Sequence, residues 1–263
     1  MGKPLFVRQA ERVLASRLCG EVVIATTWHP EDDLVVDVCK QEGLPFFRGS
    51  ADDLLDRHYQ AACQFQAGVV IKIPSDCPLI DPAIIDKTIS LYLDNPGQYD
   101  FVSNLHPATY PDGNDVEIMS FPALETAWEH AQRPLEREHT TPYLWERPDD
   151  FRIGNVVMEG GADYSMTHRF TIDYIEDYEF IRAVFEALYP IDPLFDVKAV
   201  LQLLERRPDI YAINRKWAGV NWYRHHLDEL TTVGAEQTKV IEEAEEGGEV
   251  TVEEEAEIRN EGV

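Results

Sequence analysis

Helix-length and strand-length patterns alternate through the first half of this chain, and this alternation limits the possible folds more than any other feature. Pro4–Leu18 has helical spacing, with Leu5, Val13 and Leu14 apolar. Glu21–Thr27 reads as a strand, and Pro30–Gln41 as a helix with Pro30 and Glu31 at a favourable start. Pro45–Arg48 is a short strand, and Asp52–Gln66 is a helix preceded by Ser50. Val69–Ile73 is an apolar run of strand length, followed after a turn by the helix-like Pro82–Leu93. Such an order builds βαβ units and a mainly parallel sheet with helices on both faces, an α/β fold. The second half is more mixed. Strands are expected at Tyr99–Ser103, Asp115–Met119, Phe151–Met158 and Arg169–Ile172. Helices are expected at Phe121–Ala131, Glu136–Glu146, Glu176–Leu188 and Val197–Arg206.

The turn between Ile73 and Pro82 reads PSDCPLID, Pro74–Asp81. It puts Asp76 just past the carboxyl end of a strand, where open α/β sheets bind their ligands. A carboxylate held there between prolines can carry Mg²⁺ against a nucleotide phosphate, because Mg²⁺ takes one or two carboxylates and leaves its other positions to phosphate and water. The plainer alternative is a cap for the next helix or turn. Asp173 stands in a similar place, after Arg169–Ile172 and before a helix; it too can serve as a cap, for the helix beginning near Ile175.

With 263 residues and 44% hydrophobic content, the chain suits one large α/β domain with an appendage. No stretch is long and apolar enough to span a membrane, and the first residues lack the apolar core of a signal peptide, so a cytoplasmic location is expected. Cys19, Cys39, Cys63 and Cys77 form no CxxC pair and read as reduced thiols. A formal net charge of −26 argues against nucleic acid and anionic membranes as partners. Residues 234–263 hold eleven Glu against Lys239 and Arg259, which suggests a disordered or loosely helical tail. The remainder is still strongly acidic, as in proteins adapted to salt. The expected organisation is an α/β domain over 1–213, an extension over 214–233 and the acidic tail.

Several segments in order resemble the cytidylyltransferase family that activates acidic sugars, in particular its spore-coat polysaccharide branch, related to acylneuraminate cytidylyltransferases. They are GKPLFVRQAERV from Gly2, VVIATTWHPEDD from Val22, FFRGSADDLLDRHYQAA from Phe46, PSDCPLIDPAIID from Pro74, YDFVSN from Tyr99, TYPDGNDVEIMSFPALETAW from Thr109, EREHTTPYLW from Glu136 and HRFTIDYIEDYEFIRAVF from His168. The resemblance implies a Rossmann-like nucleotidyltransferase fold of the nucleotide-diphospho-sugar transferase type. It implies transfer of CMP from CTP to a sugar acid, with Mg²⁺ and release of pyrophosphate, for surface polysaccharide or glycan synthesis. It also implies a homodimer, with Asp115–Trp145 resembling an inserted arm.

Carried onto this chain, the resemblance makes Asp76 and Asp173 the metal carboxylates, with Arg57 a catalytic cation. Ala25, Thr26 and Thr27 would line the base pocket. Arg48, Ser50, Asp56 and Ser75 would face the nucleotide; an Arg fork suits phosphate oxygens. Arg57 can equally be an exposed helix charge paired with Asp53. Tyr110, Asp112, Asp115 and Glu117 would form or border the sugar side, with Glu138 and His139 contacting the sugar. Asp115 and Glu117 alternate with Val116, so they share one strand face, which can also be an ordinary solvated face. His225 and His226 lack metal-ligand spacing partners.

Members of the family ordinarily begin with an apolar strand and a loop resembling QARxxSxRLPGK that supplies cations to the triphosphate. Here Gly2-Lys3-Pro4 matches the segment that follows that loop. The chain as written is therefore expected to be inactive or weak. Two other readings stay open: a non-catalytic nucleotide- or partner-binding protein of the same fold, and a nucleotidyltransferase for another base or sugar.

Overall fold

The computed structural model describes residues 2–241. It begins with helix α1 (Leu5–Leu14), which buries Val7, Ala10 and Val13 together with the polar Gln9 and Arg12. These two polar groups are spent on backbone. Arg12 donates to the carbonyls of Ile80 (2.8 Å) and Phe195 (2.7 Å), and Gln9 to that of Pro74 (2.5 Å). Helix α1 thus braces the loop that carries Asp76.

Strand β1 (Ile24–Thr27) pairs in parallel with β2 (Phe46–Gly49). Helix α2 (Asp33–Glu42) connects them and ends at Gly43, whose φ of 69° is the left-handed conformation that closes many helices. Helix α3 (Leu54–Gln64) leads on to β3 (Val69–Lys72). After the Asp76 turn, α4 (Pro82–Leu93) starts with Pro82 in its first turn and Asp81 as its cap. One oxygen of Asp81 accepts from Ala83 N, the other from Val197 N, each at 2.8 Å. Asp81 therefore does the capping, and Asp76 is not used for it.

A second sheet holds β3, β4 (Phe101–Ser103), β5 (Glu117–Ser120) and β6 (Ile153–Asn155) in the order β3-β5-β4-β6. Strand β5 runs antiparallel to both neighbours, and β4 is parallel to β6, so β3, β4 and β6 share one direction. The expected parallel character holds with one reversed strand. That strand corrects the notion of an inserted arm: within Asp115–Trp145, Glu117, Ile118 and Met119 are buried in the middle of the sheet. Helix α5 (Phe121–His130), capped by Ser120, follows and packs Leu124 and Ala127 into the same core as Leu55, Phe101 and Trp145.

The single helix expected over Glu136–Glu146 is two, α6 (Pro134–His139) and α7 (Pro142–Trp145). Thr140 between them has φ 71°, outside helical space, and Pro142 lacks the N–H that a continuing helix would need. Arg169–Ile172 is not a strand of either sheet; its one bridge joins Arg169 to Asp112. Helices α8 (Ile175–Leu188), α9 (Val197–Arg206) and α10 (Pro208–Ala212) build a separate core around Phe170, Phe180 and Phe195. The segment 214–233 packs on the domain: Trp217 stacks on Tyr174 at 3.8 Å, and Leu230 and Val233 enter the core with Trp145. The acidic segment continues this packing as far as Lys239, whose amide donates to Gly219 O at 2.7 Å. Its remainder, 242–263, lies outside the described residues. Among the described residues no helix is long and apolar enough to cross a membrane.

Candidate active site

Asp76 and Asp173, far apart in sequence, are brought together by backbone. Ile172 N and Thr171 Oγ1 both donate to Asp76 O, at 3.0 and 3.2 Å. A second junction lies beside it. Asp112 N donates to His168 O (3.0 Å), and Phe170 N donates to Asp112 O (2.7 Å). Gly113 makes this junction possible: its φ is 95°, and a Cβ there would stand 2.5 Å from the Phe170 carbonyl carbon. Asp76, Asp112, Asp115 and Asp173 consequently crowd one another. Burial first, then Asp173, pushes the Asp76 carboxyl above its ordinary range. Asp112 is pushed up to about 7 by burial, against the opposing pull of Arg169. Asp115 is raised by burial and then by Asp112 and Asp76.

Arg169 is the counter-charge on one side of this cluster. Its guanidinium is buried and reaches both oxygens of Asp177 (3.0 Å), Asp112 (3.3 Å), Asp173 and the carbonyl of Val220 (2.6 Å). Asp177, fully buried, also accepts from the amides of Asp173 and Tyr174, and so takes the capping role at the start of α8. Asp173 keeps a side chain 54% exposed.

Lys72 supplies the positive charge on the other side. It pairs with Glu117 at 2.5 Å, and Glu117 also accepts from Thr141 Oγ1 at 2.5 Å. Burial disfavours the charged forms of both, but their attraction outweighs it: Lys72 is raised and Glu117 lowered. The face shared by Asp115 and Glu117 is thus not a solvated one. Beyond Glu117 lies a group of rings. His139 stacks on Trp222 at 3.7 Å, His106 on Trp145 at 4.3 Å, and Tyr223 packs against Trp222 at 4.6 Å. Burial lowers His106 and His139 to about 4, so both rings are neutral at neutral pH.

The proposed nucleotide residues lie on β1, β2 and α3. Ala25, Thr26 and Thr27 pair with Phe47, Arg48 and Gly49. Thr27 N and Oγ1 both donate to Asp32, at 2.9 and 2.5 Å. Arg48 is committed internally, to the carbonyls of Thr27 and His29 and to Asp33. Arg57 does not pair with Asp53, which binds Arg137 at 2.6 Å. Arg57 instead donates to Ser50 O at 2.9 Å, and its Nε is buried without a hydrogen-bond partner among the described residues. Ser50 Oγ accepts from Asp53 N. Asp56 ties α3 to α5 through Trp128 Nε1 at 2.9 Å.

The residues gathered in one place are therefore Asp76, Asp173, Asp112, Asp115, Glu117 and, past Glu117, His139. Tyr110 points elsewhere, its hydroxyl meeting Val157 O and Lys87. Ser75 and Glu138 are exposed. Sequence reasoning misses Lys72, Arg169, Thr141, Trp222 and Tyr223. A lysine inside an otherwise apolar strand is the one signal that could have revealed Lys72, since buried Lys is rare without a partner. Cys77, buried beside Asp76, has its thiol raised by burial and is no nucleophile. His226 meets Glu229 at 2.9 Å.

A sequence model of the family described as cytidylyltransferase matches residues 1–243. The spore coat polysaccharide biosynthesis protein SpsF of Bacillus subtilis is 28% identical over 190 residues, covering 72% of this chain and 76% of that protein. A 3-deoxy-manno-octulosonate cytidylyltransferase of Trichlorobacter lovleyi is 32% identical over 98 residues, 36% of this chain and 37% of that protein. The solved structure of a cytidylyltransferase from Leptospira borgpetersenii superposes with a TM-score of 0.75 at 32% identity, covering 80% of this chain and 87% of that one.

Proposed function

Because the chain belongs to the cytidylyltransferase family, we propose that it transfers CMP from CTP to a sugar acid and releases pyrophosphate, as a step toward a surface polysaccharide or glycan. The observation that carries this reading is the clamp of Ile172 and Thr171 on the Asp76 carbonyl, which sets Asp76 and Asp173 side by side at the mouth of a crowded carboxylate cluster. The names of two relatives support it: one is a 3-deoxy-manno-octulosonate cytidylyltransferase and the other a spore coat polysaccharide biosynthesis protein.

The reaction is an in-line attack of an acceptor hydroxyl on the α-phosphorus of CTP. The cluster fits Mg²⁺. Its donors are all oxygen, and burial first, then the neighbouring carboxylates, holds Asp76 and Asp115 above their ordinary range, which a bound cation would offset. Mg²⁺ takes one or two protein carboxylates and leaves its other positions to phosphate and water. Asp76 and Asp173 would hold it. When bound, it neutralises and orients phosphate oxygens. Thr26 and Thr27 border the base, Arg57 faces the phosphates, and Asp115, Glu117 and His139 border the acceptor. Stabilisation of charge by fixed groups, without a covalent intermediate, supplies the rate. Arg48, Lys72 and Arg169 are committed to internal partners, which supports slow turnover by the chain as it stands. Two copies pairing, and a cytoplasmic site of action where CTP is at hand, complete the reading.

The test is pyrophosphate release from CTP and Mg²⁺ with 3-deoxy-manno-octulosonate, N-acetylneuraminate and related sugar acids. Release that falls at least about 10²-fold in Asp76→Asn supports it. No release with any sugar acid, while CTP still binds, moves the chain to the non-catalytic reading. Sedimentation of the intact protein decides the pairing.

A further inference from the structure

The segment 214–233 reads from sequence as an appendage, yet it delivers two rings to the acceptor side of the site. The turn Asn221–His225 is pinned at its start. Arg169 donates to Val220 O (2.6 Å), and Asn221 Nδ2 to Gln237 O (3.0 Å). Farther on, Glu146 accepts from the amides and hydroxyls of Thr231 and Thr232. Trp222 is thereby laid flat on His139, at 18° and 3.7 Å, and Tyr223 is held 6.2 Å from Trp145 and 6.4 Å from His106. The Tyr223 hydroxyl is close enough to Glu117, Asp115 and Asp112 to feel their charge. The segment thus brings two rings against His139 and His106, beside the Lys72–Glu117 pair that Thr141 completes. Apolar rings with a few fixed polar groups are what a ligand pocket needs. Flat rings suit the C–H face of a sugar, and a hydroxyl and carboxylates suit its hydroxyl groups.

We propose that Trp222 and Tyr223 form the acceptor wall of the site and set which sugar acid is accepted, a role that rests on the transferase reading above. Arg169 adds a coupling: one guanidinium holds Asp112, Asp173 and the Val220 carbonyl, so wall and carboxylates are positioned together.

The intact protein is titrated with 3-deoxy-manno-octulosonate and N-acetylneuraminate by saturation-transfer NMR, with CTP present and Mg²⁺ withheld. Pyrophosphate release is measured separately with Mg²⁺. Trp222→Ala is expected to weaken sugar-acid binding at least about tenfold, with the KM for CTP within about twofold of wild type. Trp222→Phe, which keeps a ring, and Tyr223→Phe, which removes only a hydroxyl, should fall between. Thermal unfolding confirms that each variant is folded. Unchanged sugar-acid affinity in all three variants, or no sugar-acid binding by wild type, overturns the wall. Binding that depends on Trp222 without any pyrophosphate release from wild type would leave the wall standing and sink the transferase reading.

Discussion

Lys72 and Glu117 form a closely held ion pair, with side chains 14% and 3% exposed. Removing one partner leaves a charge stranded among Thr141, Asp115 and the rings. Lys72→Met should cost about 3–5 kcal/mol in urea unfolding, and Lys72→Met with Glu117→Gln should recover most of it. A cost below 1 kcal/mol for the single change would mean that water reaches the pair. His58 tests pH. Burial holds it to about 4, below the ordinary 6.5, with Nδ1 on the carbonyl of Leu54. Between these values the unfolded chain binds a proton that the folded one refuses, so stability falls as pH drops from 6.5 toward 4. Asp112, raised to about 7, works in the opposite sense over the same range, so the measurement is the difference between wild type and His58→Gln. That difference should change by roughly 3 kcal/mol across the window. A flat difference would place His58 in contact with solvent.

Among the elements, the 112–115 turn and the 169–173 segment behave as one unit, although neither is a strand of a sheet. Gly113→Ala should separate them, costing at least about 2 kcal/mol and most of the activity, because the nearest atoms are backbone and cannot yield. Wild-type activity and stability in this variant would show that the junction adjusts freely. These two segments also show what the sequence makes legible. Helical periodicity reveals α1, α2 and α3, and short apolar runs of strand length between them reveal β1, β2 and β3. The turn Pro74–Asp81 is legible because prolines and an acid after an apolar run leave few alternatives. Arg169–Ile172 has the composition of a strand but lacks partners, and only tertiary contact decides that. The break at Thr140 is faintly marked by Pro142, while the reversal of β5 has no local signature, because strand direction leaves none in a short stretch. The rings at 222 and 223 lie some eighty residues past His139, and their meeting depends on the path of the whole segment between them.

For the molecule as a whole, a net charge of −26 means self-repulsion in the folded state, which added salt screens. The melting temperature should therefore climb as KCl is raised from about 0.1 M toward molar concentrations. A flat or falling curve would count against salt adaptation and leave an ordinary acidic enzyme. The last consequence concerns birth order. Asp76 is clamped by Thr171 and Ile172, and Arg169 is clamped in turn by Val220, separations of 95 and 51 residues for the Thr171 and Val220 contacts. During translation, the loop with Asp76 leaves the ribosome long before the residues that complete its surroundings. A nascent chain thus carries Asp76 as a lone carboxylate, and the groups that surround it fall into place only after Val220 has been made.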